Sequence, residues 1–589
     1  MLFAAARPAA NLTAMPRARL PTALLLAASS ILMPTATAEV LLRWNQAGYT
    51  PARPKTLVAM STSDLAGQRW TILRADFVGL AEPVRQGEFG PSNVGVGDHS
   101  PLPFNHTADF STLTEPGRYR FVVADAPPAE IRIAAAPYAE LVTLPLQHLR
   151  LMRSGPDTVA PRRPSHAGDA RAPVFVPDGD PANGKWSRAE PARTVDALGG
   201  WYDAGDQIKF TLNIAYTTYH LLFAYHLAPE LHGRPAAGQP LPPLLVEARH
   251  GLTYLLRTFP DRDTFIVQVG DETDHNQAPR LPEHDPLDGR RPALCALSRT
   301  HMASAATALA LGARTFRELG LPVEAERYAA LARALHARTH DPDTIPTAFE
   351  RGKVNDFYRD DSEVDQRALA AAELFALTGE QRYLDEAVAL APPAASEVGW
   401  ANWHWLANYA LAPHNPAARD RLLAETAAYA RHAATAGRPW GVPSRYVWAS
   451  LHRWLGAANA ARLAALRAGA LADHDALFFG MLDYTFGRSN WGVSFLFSER
   501  LPNTVRHIYS PAYRLLAAFP TGALSEGPGD RATHDSLRQY FTATDDSPLA
   551  RFDTAAAVFR DSSDDFMCQE STIGGQADAV LLLTLASLP

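Results

Sequence analysis

The feature that most constrains this chain is a change of hydrophobic period near Pro137. Ahead of it, short β-rich runs alternate with Gly, Pro, Asp and Asn, and the pattern predicts strands at Thr56–Met60, Trp70–Arg74, Tyr119–Val123 and Ile131–Ile133. Behind it, alanine and leucine dominate and the period becomes helical. Helices are expected within Leu141–Gly155 and over Thr211–Leu227, Leu244–Thr258, Thr300–Leu319, Val323–Thr339, Asp365–Thr378, Trp400–Leu411, Arg419–Ala434, Tyr446–Ala468, Ser536–Tyr540 and Gln576–Leu588. One β-domain followed by a long series of helices, without a short sequence repeat, favours a closed helical toroid over a solenoid.

A length of 589 residues calls for more than one core. The balance of 47% hydrophobic and 20% charged residues is that of a folded soluble protein, and a net charge of −7 offers no basic footprint for nucleic acid. The two cysteines, Cys295 and Cys568, cannot build a disulfide framework. Residues 1–38 read as an export signal. Arg17 and Arg19 precede an apolar run from Ala23 to Leu32, and Ala36-Thr37-Ala38 offers a small-residue cleavage site. The expected organisation is therefore a signal peptide at 1–38, a β-sandwich at 39–135 and a helical domain at 136–589. The mature chain is expected to be periplasmic or secreted, without a membrane partner.

The chemistry gathers at Gly199–Phe210, GGWYDAGDQIKF. Asp203 and Asp206 lie three residues apart on a glycine-rich turn, behind Trp201 and Tyr202. Paired acids on such a turn can hold and deprotonate a water. An acidic first turn of a helix is the plainer reading. Long loops rich in acids, His, Trp and Tyr separate the later helices. A scaffold of rigid helices with such loops at one end suits an enzyme.

This stretch resembles the signature of glycoside hydrolase family 9, the inverting β-glucanases. Asp561–Glu570, DSSDDFMCQE, resembles the family's closing motif through Asp565, Phe566, Gln569 and Glu570, with Gln569 where Asn is usual. LLRWNQAGYTPARPK from Leu41 resembles the entry of the immunoglobulin-like domain fused ahead of such modules. VGDETDHNQAPRLPE, SEVDQRALAAAELFALTG, PWGVPSRYVW and DYTFGRSNWGVSF agree in order. The resemblance implies an immunoglobulin-like β-sandwich followed by an all-α (α/α)6 barrel. It departs at Arg506-His507-Ile508, which lacks the closing Arg of the family's His-His-Arg cluster, and at Gln207-Ile208, where Tyr-Gly is usual. MRSG and SHAGDA lack the cysteines through which some members bind zinc, so no metal ligands are expected there.

By motif position, Asp206 is the base and Glu570 the acid, with Asp203 helping to hold the nucleophilic water. Inversion needs two carboxyl groups roughly 6.5–9.5 Å apart, one ionised and one protonated. His507 is a candidate for a sugar hydroxyl. Trp448, Tyr484, Trp491 and Tyr202 are candidates for sugar contacts, although aromatics at helix ends are as often core. No cofactor is required. Asp271, Asp274, His275, Glu283 and Asp285 offer oxygen ligands for calcium, or simply a solvated loop. The expected activity is inverting hydrolysis of β-1,4-glucosidic bonds in glucans or cello-oligosaccharides, and the absence of an appended binding module favours soluble or short substrates. The alternatives are an exo-acting glycosidase on cello-oligosaccharides or glucosamine oligomers, with Glu526 or Asp361 as the acid near the non-reducing end, and a non-catalytic glycan binder on the same scaffold.

Overall fold

The computed structural model describes residues 39–588, except 76–81, 94–98, 124–125, 180–183, 236–237, 239, 278, 350–356, 361, 396, 470, 517 and 542–546. The expected signal segment, 1–38, and Asp361 lie outside the described residues.

Seven strands open the fold: β1 (Val40–Arg43), β2 (Thr56–Ser61), β3 (Arg69–Arg74), β4 (Pro83–Glu88), β5 (Phe104–Asp109), β6 (Gly117–Val122) and β7 (Ala129–Ile133). They form two antiparallel sheets, ordered β1-β2-β5 and β4-β3-β6-β7. In β7 the alternation Ala129, Ile131, Ile133 inward and Glu130, Arg132 outward is what a half-buried strand requires. Between the sheets Trp70 stacks on Phe121 at 5.1 Å, beside Ile72, Phe110 and Tyr119.

Among the described residues, twelve helices of eight residues or more follow. They are α1 (Leu144–Leu151), α2 (Thr211–Leu227), α3 (Pro243–Leu255), α4 (Arg299–Glu318), α5 (Pro322–Arg338), α6 (Val364–Thr378), α7 (Gln381–Ala389), α8 (His404–Leu411), α9 (Pro416–Ala434), α10 (Ser450–Ala468), α11 (Ala472–Thr485) and α12 (Ile573–Ala586). The even-numbered helices pack in a closed ring, α2 on α4, α4 on α6, and so on until α12 returns to α2. The odd-numbered helices pack outside them. Inner helices are apolar nearly all round, as burial on every side demands: each residue of α12 is buried, and all but the last three of α2. This is an (α/α)6 barrel.

The stretches between the first helices, which show no period, are partly strands. β8 (Ala172–Pro177), β9 (Trp186–Arg188), β10 (Thr194–Val195), β11 (Lys209–Phe210), β12 (Ile266–Val269) and β13 (Ala293–Cys295) form a small sheet, with β13 parallel to β8. Runs this short carry no period of their own. The sheet matters because β11 ends the acidic turn and leads directly into α2.

The sandwich grips the barrel through buried polar groups. Arg53 pairs with Asp483 on α11, both almost inaccessible. Asn45 Nδ2 donates to the same carboxylate at 2.9 Å, and Arg43 Nε donates to the Asn490 carbonyl at 2.9 Å. Cys295 and Cys568 are separate buried thiols.

Candidate active site

The acidic turn is held by its own residues. Gly199 and Gly200 take φ of +84° and +73°, the left-handed region that glycine enters without strain. A Cβ on Gly200 would come within 2.9 Å of Ile214. The Asp203 amide donates to the Ile208 carbonyl at 3.0 Å, and the Ile208 amide donates to Asp206 Oδ1 at 3.0 Å. The loop thereby presents both carboxyl groups at the start of α2.

Asp203 is buried. Its Oδ1 accepts from Asn213 Nδ2 at 2.8 Å, and its Oδ2 accepts a short hydrogen bond from the Tyr358 hydroxyl. Burial pushes its pKa up to about 7, with the charge of Asp206 in the same direction and the two hydrogen bonds opposing. Asp206 faces a cleft of about 160 Å³, where its Oδ2 lies 2.8 Å from His275 Nδ1. That hydrogen bond raises the His275 pKa above its ordinary value.

Glu570 reaches the same cleft from the chain's other end. Its Oε1 accepts from the Gly205 amide at 2.8 Å. Gly205 has no side chain for a reason: a Cβ there would lie 2.2 Å from the Tyr509 ring and 2.8 Å from Glu570 Oε1. Glu570 is half-buried and opens onto the cleft. Desolvation of its carboxyl, then the charge of Asp206, push its pKa up to about 8, against the Gly205 hydrogen bond. It is therefore largely protonated at neutral pH. A protonated carboxyl and a second carboxylate on one cleft can donate and accept a proton in a single reaction.

Glu526 lies beside Glu570, its amide donating to the Glu570 carbonyl at 3.1 Å. It is buried, and its Oε2 has no hydrogen-bond partner among the described residues. Burial pushes its pKa up to about 8.

Of the aromatic candidates, Trp448 lines the cleft, 37% exposed, with its ring 5.6 Å from Phe566. The other three are core residues, which corrects the expectation that they meet sugar. Tyr484 is fully buried, stacked on Phe495 at 5.6 Å. Trp491 packs 5.8 Å from Phe559. The Tyr202 hydroxyl is taken up by Ser165 at 2.8 Å and His166 at 2.7 Å. His507 is exposed, its amide donating to Asp561 at 2.9 Å, and it is not among the described residues lining the cleft.

The acid-rich loop does not fit calcium. Asp274 pairs with Arg280 and Arg291, Glu283 with Arg162, and Asp285 with His166 and Arg280. Asp271 caps the short helix Glu272–His275. An ion would have to displace these partners. The loop's role is instead to carry His275 and Arg280 to the cleft.

Sequence reasoning did not single out Asn213, Tyr358 or Tyr509, and it read His275 only as part of the calcium set. Nothing in the residues around Tyr358 says that it reaches Asp203.

Comparison with known proteins gives the family and the fold. The model of glycosyl hydrolase family 9 matches residues 138–583, and that of the cellulase N-terminal ig-like domain matches residues 38–127. The chain is 27% identical over 544 residues to endoglucanase C of Cellulomonas fimi, covering 83% of this chain and 47% of that protein. It is 24% identical over 299 residues to a cellodextrinase of Butyrivibrio fibrisolvens, covering 48% and 50%. The chain thus spans about half the length of these relatives. Among solved structures, a metagenome-derived glycoside hydrolase family 9 endoglucanase superposes with a TM-score of 0.75 at 24% identity, covering 93% of this chain and 99% of that one. A mutant thermostable endoglucanase from Alicyclobacillus acidocaldarius gives 0.73 at 21% identity, with coverage of 93% and 99%. At these identities the structures carry the fold.

Proposed function

Because the chain belongs to glycosyl hydrolase family 9, whose model spans most of its length, we propose that it hydrolyses β-1,4-glucosidic bonds in glucans or cello-oligosaccharides with inversion. Asp206 takes a proton from the attacking water, and Asp203 holds that water from its fixed place between Asn213 and Tyr358. Glu570 donates its proton to the leaving glycosidic oxygen. Water adds to the anomeric carbon on the face opposite the bond that breaks, so the configuration inverts. Trp448 offers its exposed ring to a sugar face. The observation that carries this reading is the Glu570 carboxyl, held by the Gly205 amide at 2.8 Å and lining the same cleft as Asp206. Export to the periplasm or medium fits a polymeric substrate. Among the described residues, no helix is long and apolar enough to cross a membrane.

A second reading changes the sugar. Glu526, buried beside the acid with an unpartnered oxygen, would ionise against a bound ammonium and so favour glucosamine oligomers. The test is a product profile over time on cello-oligosaccharides, a soluble β-glucan and chitosan oligomers, with Glu570→Gln as control. Turnover of the glucose-based substrates, lost in the variant, is the expected result. Turnover of chitosan oligomers alone would replace glucose by glucosamine, and binding without turnover of any substrate would leave a glycan-binding protein.

A further inference from the structure

The outer ring of the barrel carries a cluster that the cleft chemistry does not use. His336 lies on α5, His340 in the turn that follows it, and Glu386 on α7. Spacing by four residues puts both imidazoles on one face of the helical turn. His336 Nε2 is 3.0 Å from Glu386 Oε2, and His340 Nε2 is 2.7 Å from Glu386 Oε1. One ligand atom from each residue lies within 4.8 Å of the other two.

The hydrogen-bonding of His340 narrows what this cluster is for. Its Nδ1 is 3.0 Å from the His336 carbonyl oxygen, an acceptor. That carbonyl takes the Nδ1 proton, which leaves Nε2 as the nitrogen that faces the carboxylate, 2.7 Å from Glu386 Oε1. A proton bridges that pair, and a metal ion can take its place. This is also the arrangement that fixes a metal-binding histidine, with one ring nitrogen donating to a backbone carbonyl and the other free to ligate. We infer that His336, His340 and Glu386 bind a transition-metal dication of the zinc class, with water in the fourth position.

The geometry suits that ion. Bonds of about 2.0–2.2 Å at tetrahedral angles separate ligand atoms by roughly 3.3–3.6 Å, so the 3.0 and 2.7 Å pairs open by about 0.3–0.9 Å. The two imidazole nitrogens, which with the carboxylate lie within 4.8 Å of one another, settle to the same spacing by side-chain rotation. His336 is rigidly placed, its side chain 4% exposed, while His340 is 43% exposed and gives the ion an entry from solvent. The nearest competing cation is Arg367, 3.9 Å from Glu386 Oε1 and itself held by Glu363 at 3.1 Å. It weakens the site without covering the nitrogen edge of either ring. An ion here would tie the end of α5 to α7.

The test uses the full chain, stripped with a chelator and titrated with Co2+ and then Zn2+. The expected result is one equivalent of Co2+ with visible d–d bands, displaced by Zn2+, and a rise in Tm with either ion. His340→Ala, at an exposed position, and Glu386→Gln each lower the affinity by about tenfold or more and remove the rise in Tm. No Co2+ binding in the parent chain, or equal binding in His340→Ala, would overturn the inference. So would a thiolate-to-cobalt charge-transfer band, which would place the ion at the buried His534, Asp565 and Cys568 group instead.

Discussion

Gly205→Ala is the sharpest probe of how the acid is held. The added Cβ would lie 2.2 and 2.4 Å from two carbons of the Tyr509 ring and 2.8 Å from Glu570 Oε1. Ordinary carbon contacts begin near 3.5 Å, so the ring and the carboxyl must retreat by about 1 Å. A catalytic group displaced by that much loses on the order of 10²-fold in rate, or about 2.7 kcal/mol of transition-state stabilisation. The retreat also breaks the 2.8 Å hydrogen bond from the Gly205 amide. That bond favours the ionised carboxyl, so without it the Glu570 pKa rises further above about 8. The variant should therefore lose kcat by about a hundredfold while its activity persists to higher pH. The assay is kcat on a soluble cello-oligosaccharide from pH 5 to 10 (roughly the span of the raised carboxyl and its limb), with circular dichroism to show an intact fold. A kcat within about threefold of the parent, with the basic limb unmoved, would refute the reasoning.

Glu526 should make stability depend on pH. Its folded pKa is raised from 4.5 to about 8, so its contribution is fully present below about pH 4.5 and is lost as pH rises through about 8. Tm measured against pH should fall across that window less steeply for Glu526→Gln than for the parent, and parallel curves would count against it. Arg53→Ala strands the buried Asp483 carboxylate between sandwich and barrel. It should cost about 3–5 kcal/mol of stability in denaturant unfolding, and the cleft chemistry of the folded fraction should be unchanged. Trp448→Ala removes the exposed cleft ring and should raise KM by about tenfold, or 1.4 kcal/mol, with kcat changed little. A collapse of kcat instead would mean that the ring positions the reacting sugar.

The barrel was legible where a helix is long and uniformly apolar. α2 falls on its expected bounds, Thr211–Leu227, because seventeen largely apolar residues without Gly or Pro are too long for a strand. α7 and α11 were not foreseen. α7 has nine residues and buries only Tyr383 and Ala387. α11 follows Leu471, which supplies no side-chain cap, and carries Gly480 within it. The small sheet was invisible because its strands pair residues far apart in sequence, Ala293 with Val174 for example. At the site, the acids could be read because a glycine-rich turn and a closing motif mark them. Tyr358 and Tyr509 could not, because only the folded barrel brings them to Asp203 and Gly205, and Asn213, in the first turn of α2, carries no mark in the sequence that its amide turns back to Asp203. Tyr484, Trp491 and Tyr202 misled because an aromatic at the end of an element has the same sequence signature whether it floors a cleft or fills a core.

The most direct test of the central claim is the configuration of the first-formed product, followed by proton NMR during hydrolysis of a β-1,4-linked cello-oligosaccharide. Base catalysis by Asp206 and acid catalysis by Glu570 predict an α-anomeric reducing end that then mutarotates, with no such signal from Glu570→Gln over the same period. A β-anomer formed first, or a Glu570→Gln variant that turns over at the parent rate, would contradict it.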